Sequence, residues 1–299
     1  MNGFLAALAQ RVLLFDGGMG SMLIAAGLGQ GEPPEAWNLA RPEVLQDIHR
    51  RYLEAGADVI QTNTFGANEV KLASSWRGGS PDMEEVNARG VSAARNALEE
   101  YGSPGRFVAG EIGPTGEFFA PMGTLTAERA RAAFRAQAAA LERCGVDLFL
   151  IETMYDMREA LEAVRAVREV SGKPVVCELT MERKKRGFFT LVGDSPAAAA
   201  EALPAAGADV IGANCSVTSV EMIALAAEMR ALTPAPLIFQ PNAGQPEMTG
   251  GRPVYRQTPA EFAADMLAVA SAGANALGGC CGTTPEFIAA LRARLDAGR

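Results

Sequence analysis

Short apolar runs alternate with longer alanine-rich stretches along the whole chain. The runs are apolar at successive positions, which is typical of strands buried on both faces, and each ends in a polar or glycine-rich turn. The alanine-rich stretches between them predict helices. The predicted strands lie in eight segments, namely VLLFDGGMG from Val12, DVIQTNTFGA from Asp58, FVAGEIGPTG from Phe107, DLFLIETMYD from Asp147, PVVCELTM from Pro174, DVIGANCS from Asp209, PLIFQPNAG from Pro236 and NALGGCCGTT from Asn275.

Four of these strands begin in a similar way, at EAGADVI, RCGVDLFLI, AAGADVI and SAGANAL. In each case a helix is predicted to end at the glycine, which adopts the left-handed conformation that terminates helices. We interpret the similarity as a property of the fold and not as a sequence repeat. Eight strand–helix units without a long linker predict one (β/α)8 barrel, a TIM barrel, over residues 1–299. A doubly wound sheet is the alternative, and it would show fewer strands or a second domain.

Composition narrows the class of protein. The chain has 299 residues, of which 48% are hydrophobic, and a formal net charge of −8. This length can bury one large core, and the acidic balance argues against nucleic acid and anionic membranes as partners. The sequence shows neither a secretory signal peptide nor an apolar run of roughly 20 residues that could span a bilayer. Five cysteines, an odd number, indicate a reducing, cytoplasmic location with thiols that are free or bound to metal.

Polar side chains are concentrated where the predicted strands end. Active sites of (β/α)8 barrels lie at the C-terminal ends of the strands. The residues predicted at those ends are Asp16, Asn63, Glu111, Glu152, Glu178, Cys215, Asn242, Cys280 and Cys281. Because a packed core does not require these side chains, we predict a polar site built by many strands.

Three of the five cysteines fall at two of these strand ends. Cys215 ends the sixth strand, and Cys280 and Cys281 end the eighth, so only one strand separates them in a closed barrel. Three thiolates suit zinc and leave one tetrahedral position open, which is typical of a catalytic site. Cys144 and Cys177 are expected to be packed residues without a catalytic role.

Other interpretations of these residues remain open. Cys280 and Cys281 could form a vicinal disulfide, and GGCCGTTPE also resembles a phosphate-binding turn at a helix N-terminus. His49, the single histidine, is expected to be partly exposed on an outer helix, so histidine-based nucleophile machinery is not expected. The basic stretch 183–186 is expected to be a solvated loop on the catalytic face; the alternative is contact with an anionic cofactor or a partner protein.

Seven motifs together resemble one protein family: DGGMG, QTNTFGA, EIGPTGE, ETMYD, GANCS, PNAG and GGCCGTTPE. They resemble the homocysteine S-methyltransferase family, especially the homocysteine-binding domains of cobalamin-dependent methionine synthases. The resemblance covers nearly the whole chain. It implies a zinc-dependent barrel in which Cys215, Cys280 and Cys281 hold the metal and homocysteine is activated as a zinc-bound thiolate.

The resemblance also implies residues that hold the substrate. Asp16 and Glu152 would pair with the substrate ammonium, and the backbone N–H groups of Gly18 and Met19 would receive its carboxylate. Asn242 would occupy the open metal position when substrate is absent.

The function predicted from these observations is methylation of homocysteine to methionine, with a methylcorrinoid as the methyl donor. Methylcobalamin would then be carried by a separate domain or a corrinoid protein, because no cobalamin-binding domain follows the barrel; the chain is either a module or a stand-alone enzyme. The alternatives are S-methylmethionine, betaine or another donor, a different thiol or selenol as acceptor, a phosphate-binding barrel lyase or isomerase, and a non-catalytic zinc module. The stretch SVTSVEM after Cys215 motivates a different acceptor, since many methionine synthases have Gly-Pro near that position.

Overall fold

Eight parallel strands form the centre of the computed structural model, which describes residues 3–76, 79–249 and 252–298. The barrel strands are β1 Leu13–Leu14, β2 Val59–Gln61, β3 Phe107–Ile112, β4 Leu148–Met154, β5 Val175–Leu179, β6 Val210–Thr218, β7 Leu237–Asn242 and β8 Ala276–Leu277. Each strand pairs in parallel with its neighbour in sequence, and β8 pairs with β1. A parallel bridge between Phe15 and Val59 joins β1 to β2. The predicted (β/α)8 barrel is therefore confirmed.

Helices surround the strands, as the alanine-rich stretches predict. They are α1 Gly3–Leu8, α2 Met19–Ala25, α3 Ala36–Ala40, α4 Pro42–Glu54, α5 Glu69–Ser75, α6 Met83–Tyr101, α7 Ala127–Arg143, α8 Met157–Val170, α9 Pro196–Ala206, α10 Ser219–Leu232, α11 Pro259–Ser271 and α12 Pro285–Ala297. Two antiparallel hairpins lie on the catalytic side, Glu182–Lys184 with Gly187–Phe189 after β5 and Glu247–Thr249 with Arg252–Val254 after β7. No helix among the described residues is long and apolar enough to cross a bilayer.

Side chains alternate between two buried layers, because successive residues of a strand point to opposite faces. Leu13 and Phe15 point into the barrel, whereas Leu14 packs against the surrounding helices. Helix α1 covers the N-terminal end of the barrel, where the Phe4 ring meets Phe15 and Phe107 edge to face, at 6.2 and 5.7 Å between centroids. The barrel interior is therefore closed at the N-terminal end.

The N-terminal end is also held together by four similar junctions. The residue before each even-numbered strand accepts a hydrogen bond from the backbone N–H of a residue in or next to the preceding strand. The pairs are Asp58 with Leu14 at 2.9 Å, Asp147 with Val108 at 2.7 Å, Asp209 with Val175 at 2.8 Å and Asn275 with Leu237 at 3.0 Å. The preceding glycines have left-handed backbones, as predicted, with φ of 97° at Gly56, 80° at Gly145, 113° at Gly207 and 112° at Gly273.

An arginine from an outer helix completes each junction by donating to the glycine carbonyl. The donors are Arg292 to Gly56, Arg95 to Gly145, Arg168 to Gly207 and Arg230 to Gly273. Three of these arginines also form an ion pair with the junction aspartate. The similar sequences therefore encode a fourfold repeated contact that bonds helices to strands.

The structure corrects one expectation. His49 is fully buried, not partly exposed, and neither ring nitrogen has a hydrogen-bond partner in the described part of the chain. It belongs to the inward stripe of α4 with Ile48, Tyr52 and Leu53, at the helical spacing that a buried face requires. Cys177 is buried, as expected.

Candidate active site

The barrel brings the three predicted cysteine sulfurs together at its C-terminal end. The Sγ atom of Cys215, in β6, lies 2.8 Å from Cys280 and 3.9 Å from Cys281, which follow β8. The Cys280 and Cys281 sulfurs are 4.0 Å apart. No disulfide joins these residues, since a disulfide requires sulfurs about 2.05 Å apart. The vicinal disulfide is therefore not formed here.

The donor set suits a zinc ion. Three cysteine sulfurs within 4.8 Å of one another form a potential metal site. With zinc–sulfur bonds of about 2.3 Å, tetrahedral geometry places sulfurs roughly 3.8 Å apart, close to two of the three observed separations. Hydrogen bonds from Cys215 and Cys280 lower the pKa of Cys281 to about 3, whereas the pKa values of Cys215 and Cys280 rise well above their ordinary value. Without a metal the trio therefore carries one thiolate, and a bound cation would favour ionisation of the other two thiols. The chemistry of the group fits a thiolate-preferring metal.

A cluster of buried carboxyl groups lies at the same end of the barrel. Above the apolar interior, the next inward-pointing strand positions carry polar side chains, and Asp16 follows β1. The members of this acidic cluster are Asp16, Glu111, Glu152 and Glu178. Among the described residues, none of the four forms an ion pair with a lysine or arginine. The site therefore offers four buried carboxyl groups in a water-poor environment.

Two glutamines connect the acidic cluster. Asp16 accepts hydrogen bonds from the backbone N–H and the Nε2 of Gln61, at 3.0 and 2.5 Å. Gln240 Nε2 donates to Glu178 at 2.9 Å and approaches Glu152 at 3.5 Å. Glu178 Oε1 and Gln240 Oε1 are buried without a partner within the described residues, so polar binding capacity remains. Sequence reasoning missed both glutamines, although each lies two positions before a strand-end asparagine and so shares its face.

Burial raises the pKa of the acidic cluster. It raises the pKa of Asp16 to about 7, despite the hydrogen bonds from Gln61 that lower it. It also raises the pKa of Glu152 to about 7, and the pKa values of Glu111 and Glu178 rise well above their ordinary range. A cation placed among these groups would stabilise their charged forms, because opposite charge favours ionisation.

The remaining predicted substrate residues lie at the same mouth, with one complication. The Gly18 N–H donates to the Thr283 carbonyl at 3.0 Å and approaches its hydroxyl at 3.2 Å, so it already has acceptors. Met19 begins α2, and N–H groups in a first helical turn have no acceptor within the helix. Asn242 Oδ1 accepts from the backbone N–H of Cys281 at 3.0 Å. Asn242 is thus beside the sulfurs, with its oxygen engaged.

The turn after β8 does not resemble a phosphate cradle, which needs backbone N–H groups free to bind an anion. Every N–H from Gly279 to Thr283 already has an acceptor within the protein. The acceptors are the carbonyls of Asp16, Pro241 and Cys280 and the side chains of Asn242 and Ser21. The phosphate-binding alternative therefore finds no free N–H donor between Gly279 and Thr283.

A cleft of about 550 Å³ opens beside Cys215. Its lining includes Thr153, Asn242 and Gln245 and also Arg183 from the basic stretch. Residues 183–186 form part of a hairpin rather than the expected loop, and the Arg183 guanidinium lies 5.7 Å from the Phe188 ring centroid. One sulfur and one basic side chain therefore face the same open space.

Tyr255 was not predicted and lies against the cysteine pair. Its ring fills the space beside Gly282, where an added Cβ would come within 2.3 Å of it. Burial, followed by the charge of Cys281, raises the pKa of the Tyr255 phenol. It follows the second hairpin, so no local sequence signal connects it to the cysteines.

Comparison with known proteins identifies a family and several relatives of this chain. The sequence profile described as Homocysteine S-methyltransferase matches residues 13–295. Methionine synthase of Mycobacterium tuberculosis is 34% identical over 302 residues, covering 95% of this chain and 24% of the relative. Methionine synthase of Mycobacterium leprae is 34% identical over 98% of this chain and 25% of its own length. The chain thus spans about a quarter of these relatives.

Solved structures of a homocysteine methyltransferase are also similar to this chain. The homocysteine methyltransferase MmuM from Escherichia coli, in its metallated form, matches with a TM-score of 0.83 and 25% identity over 98% of this chain and 100% of that one. Its oxidised form matches with a TM-score of 0.83 and 26% identity. The chain therefore belongs to the homocysteine S-methyltransferase family. The resemblance drawn from the seven motifs is confirmed, and with it, at the level of the family, the expectation of a methyltransferase.

Proposed function

We propose that this protein is a zinc-dependent S-methyltransferase that methylates homocysteine to methionine. The observation that carries the proposal is the juxtaposition of Cys215, Cys280 and Cys281 with the acidic cluster at one barrel mouth. A metal held by three cysteines would bind a sulfur, and buried carboxyls that have no cationic partner among the described side chains would bind an ammonium group. An amino acid with a side-chain thiol carries both groups. The metallated form of MmuM supports a metal in this family.

The three cysteines would hold zinc, leaving one position for the substrate sulfur. Zinc, when bound, supplies the positive charge that keeps the substrate thiol deprotonated at neutral pH. This removes the need for a histidine base, which agrees with the position of His49, the single histidine, as a buried residue of α4. The chain itself would hold three sulfurs at two strand ends and keep the fourth coordination position accessible to the substrate.

Asp16 and Glu152 would bind the substrate ammonium. Their raised pKa values would fall once an ammonium lies between them, so binding and ionisation favour each other. The substrate carboxylate would lie at the start of α2 near Met19. Gly18 could take part only by giving up its bond to Thr283. Asn242 would contact the metal side of the substrate or take the open position in its absence.

The methyl donor would approach through the cleft beside Cys215. We propose a methylcorrinoid, methylcobalamin on a separate domain or corrinoid protein, because the 34% identity to methionine synthases exceeds the 25% identity to MmuM. S-methylmethionine and betaine are the donors that would replace it if the corrinoid is inactive.

The decisive experiment measures zinc content and methyl transfer together. We expect about one zinc per chain in protein purified under reducing conditions, and loss of this zinc in Cys215→Ala and Cys281→Ala. Cys144→Ala is the matched control, since Cys144 lies at the end of α7 outside the trio, and it should keep its zinc. Methionine formation is then assayed with methylcobalamin, S-methylmethionine and betaine. A protein that takes up no zinc, or a metallated protein inactive with every donor, would refute the proposal.

A further inference from the structure

A strained backbone surrounds the candidate metal centre. Among the described residues, the non-glycine residues with positive φ are Thr153 at 58°, Cys215 at 55° and Ser216 at 46°. A non-glycine residue in this conformation is strained and persists only where surrounding contacts hold it. Strand pairing is irregular at the same places, between Ile151 and Met154 in β4 and between Asn214 and Thr218 in β6. The ends of β4 and β6 therefore need a specific contact to keep their shape.

Asn214 makes that contact. Its side chain is fully buried, and its Oδ1 accepts from the Thr153 backbone N–H at 2.9 Å. Its Nδ2 donates to the Thr153 hydroxyl at 2.8 Å and lies 4.0 Å from the Cys280 sulfur. The amide of Asn214, the residue before Cys215, thus connects β6 to the end of β4 and to a cysteine after β8.

The same contact reaches the acidic cluster. Thr153 follows Glu152, and its hydroxyl lies 3.5 Å from the Glu152 carboxylate. A movement of the Thr153 backbone would therefore move Glu152. A movement of Asn214 would change the direction in which Cys215 presents its sulfur, because the two residues are adjacent in the chain.

We propose that Asn214 is a positioning residue that keeps Cys215 in its left-handed conformation and fixes the metal-binding sulfurs relative to Glu152. This proposal rests on the proposed zinc site and extends it to a residue that touches neither substrate nor metal directly. The amide is suited to the role because it supplies one acceptor and two donors in a fixed plane, which matches its three neighbours.

The test compares zinc binding in Asn214→Ala and wild-type protein. We expect zinc affinity, measured by competition with a chromophoric chelator, to fall about 10- to 100-fold, as is common when a partner outside the ligand shell is lost. We also expect the absorption spectrum of the cobalt-substituted variant to change, because the sulfur geometry changes. Thr153→Val should cause a smaller loss, since it removes the hydroxyl contact but keeps the backbone one.

Two further variants separate positioning from general destabilisation. Asn87→Ala removes an equally buried amide on α6, whose Nδ2 donates to the carbonyls of Ala67 and Met83, away from the sulfurs. It should lower the melting temperature but leave zinc affinity and the cobalt spectrum unchanged. Adding Ser216→Gly to Asn214→Ala should recover part of the zinc affinity, because glycine adopts positive φ without strain.

Wild-type affinity and an unchanged cobalt spectrum in Asn214→Ala would overturn the proposal while leaving the zinc site intact. Equal zinc losses in Asn87→Ala and Asn214→Ala would also overturn it, since general destabilisation would then suffice. Absence of zinc uptake by wild-type protein would instead refute the proposed function and this inference together.

Discussion

Buried acidic residues have different kinds of partners at the two ends of the barrel. At the N-terminal end, Asp58 is buried yet contacts Arg11, Arg106 and Arg292, and it also accepts the Leu14 N–H. At the C-terminal end, the acidic cluster is also buried, and its side-chain partners within the described part of the chain are glutamines and not arginines. One end compensates its buried charge, and the other leaves it uncompensated.

The difference appears in the pKa values. Burial alone would raise the pKa of Asp58, but the bond to Arg11 and the charge of Arg292 outweigh burial and lower it. Burial without such partners raises the pKa of Asp16 to about 7. A compensated carboxylate adds stability at neutral pH, whereas an uncompensated one reduces it and attracts a cation. The comparison indicates that the N-terminal end stabilises the fold, whereas buried carboxyl groups lower stability at the C-terminal end, where we propose that substrate binds.

The largest effect is expected at the stabilising end. Asp58→Asn should lower the free energy of unfolding by about 3–5 kcal/mol, because three guanidinium groups lose their shared carboxylate. The measurement is urea unfolding at pH 7, with kcat/KM of the folded enzyme expected to stay unchanged. Asp209→Asn should cost about 1 kcal/mol or less, because Asp209 is more exposed and pairs with one arginine, Arg168, among the described residues. Equal losses in the two variants would mean that the arginine cluster is not what stabilises this end.

The buried histidine should produce the next effect, on acid stability. Burial lowers the pKa of His49 from 6.5 to about 4, so the unfolded chain takes up a proton in that range before the folded one does. Neutral His49 therefore contributes to the free energy of unfolding above pH 6.5, and this contribution is lost on acidification. The loss amounts to about 3 kcal/mol between pH 7 and pH 4. His49→Leu should therefore lose less stability than wild type over this interval in urea titrations. Parallel pH profiles for the two proteins would contradict the expectation.

The third effect is expected at the C-terminal end of the barrel, where a substitution should lower activity but raise stability. Asp16→Asn should lower kcat/KM for homocysteine about 100-fold, because the substrate ammonium loses a buried negative partner. The free energy of unfolding should rise, since an uncompensated carboxylate is removed. Asp58→Asn is the matched control, with the same chemical change at the other end. If Asp16→Asn lowered the free energy of unfolding, as Asp58→Asn is expected to do, buried carboxyl groups would have the same effect on stability at both ends of the barrel. The comparison would then be wrong.

Much of the fold could be predicted because its signals are local. Apolar runs, their spacing and the glycines before β2, β4, β6 and β8 predict the barrel, since strand burial and helix termination depend on neighbouring residues. The prediction for His49 was wrong because it considered the residue type and not the inward stripe of α4, which the spacing of Ile48, Tyr52 and Leu53 also indicates.

The candidate site was predictable only in part. Cys215, Cys280 and Cys281 could be assigned to one place because strand ends of a barrel meet at one mouth. The sequence gives a weaker indication of three further residues, because each is only a polar residue inside an apolar run. They are Asn214, Gln61 and Gln240. Tyr255 gave no signal, because its approach to Cys281 depends on how the segment after β7 folds over β8.

The eight strand–helix units, the barrel and the placement of three cysteines at two strand ends could all be derived from the amino-acid sequence. These features follow from periodicity and chain order, which act over short distances along the chain. Which charges meet depends instead on the three-dimensional arrangement of the elements. Asp58 receives Arg11, Arg106 and Arg292 from positions 47, 48 and 234 residues away, whereas Asp16 receives Gln61. Whether a buried carboxyl stabilises a fold or binds a ligand depends on such distant partners, since electrostatic compensation is a property of space and not of sequence.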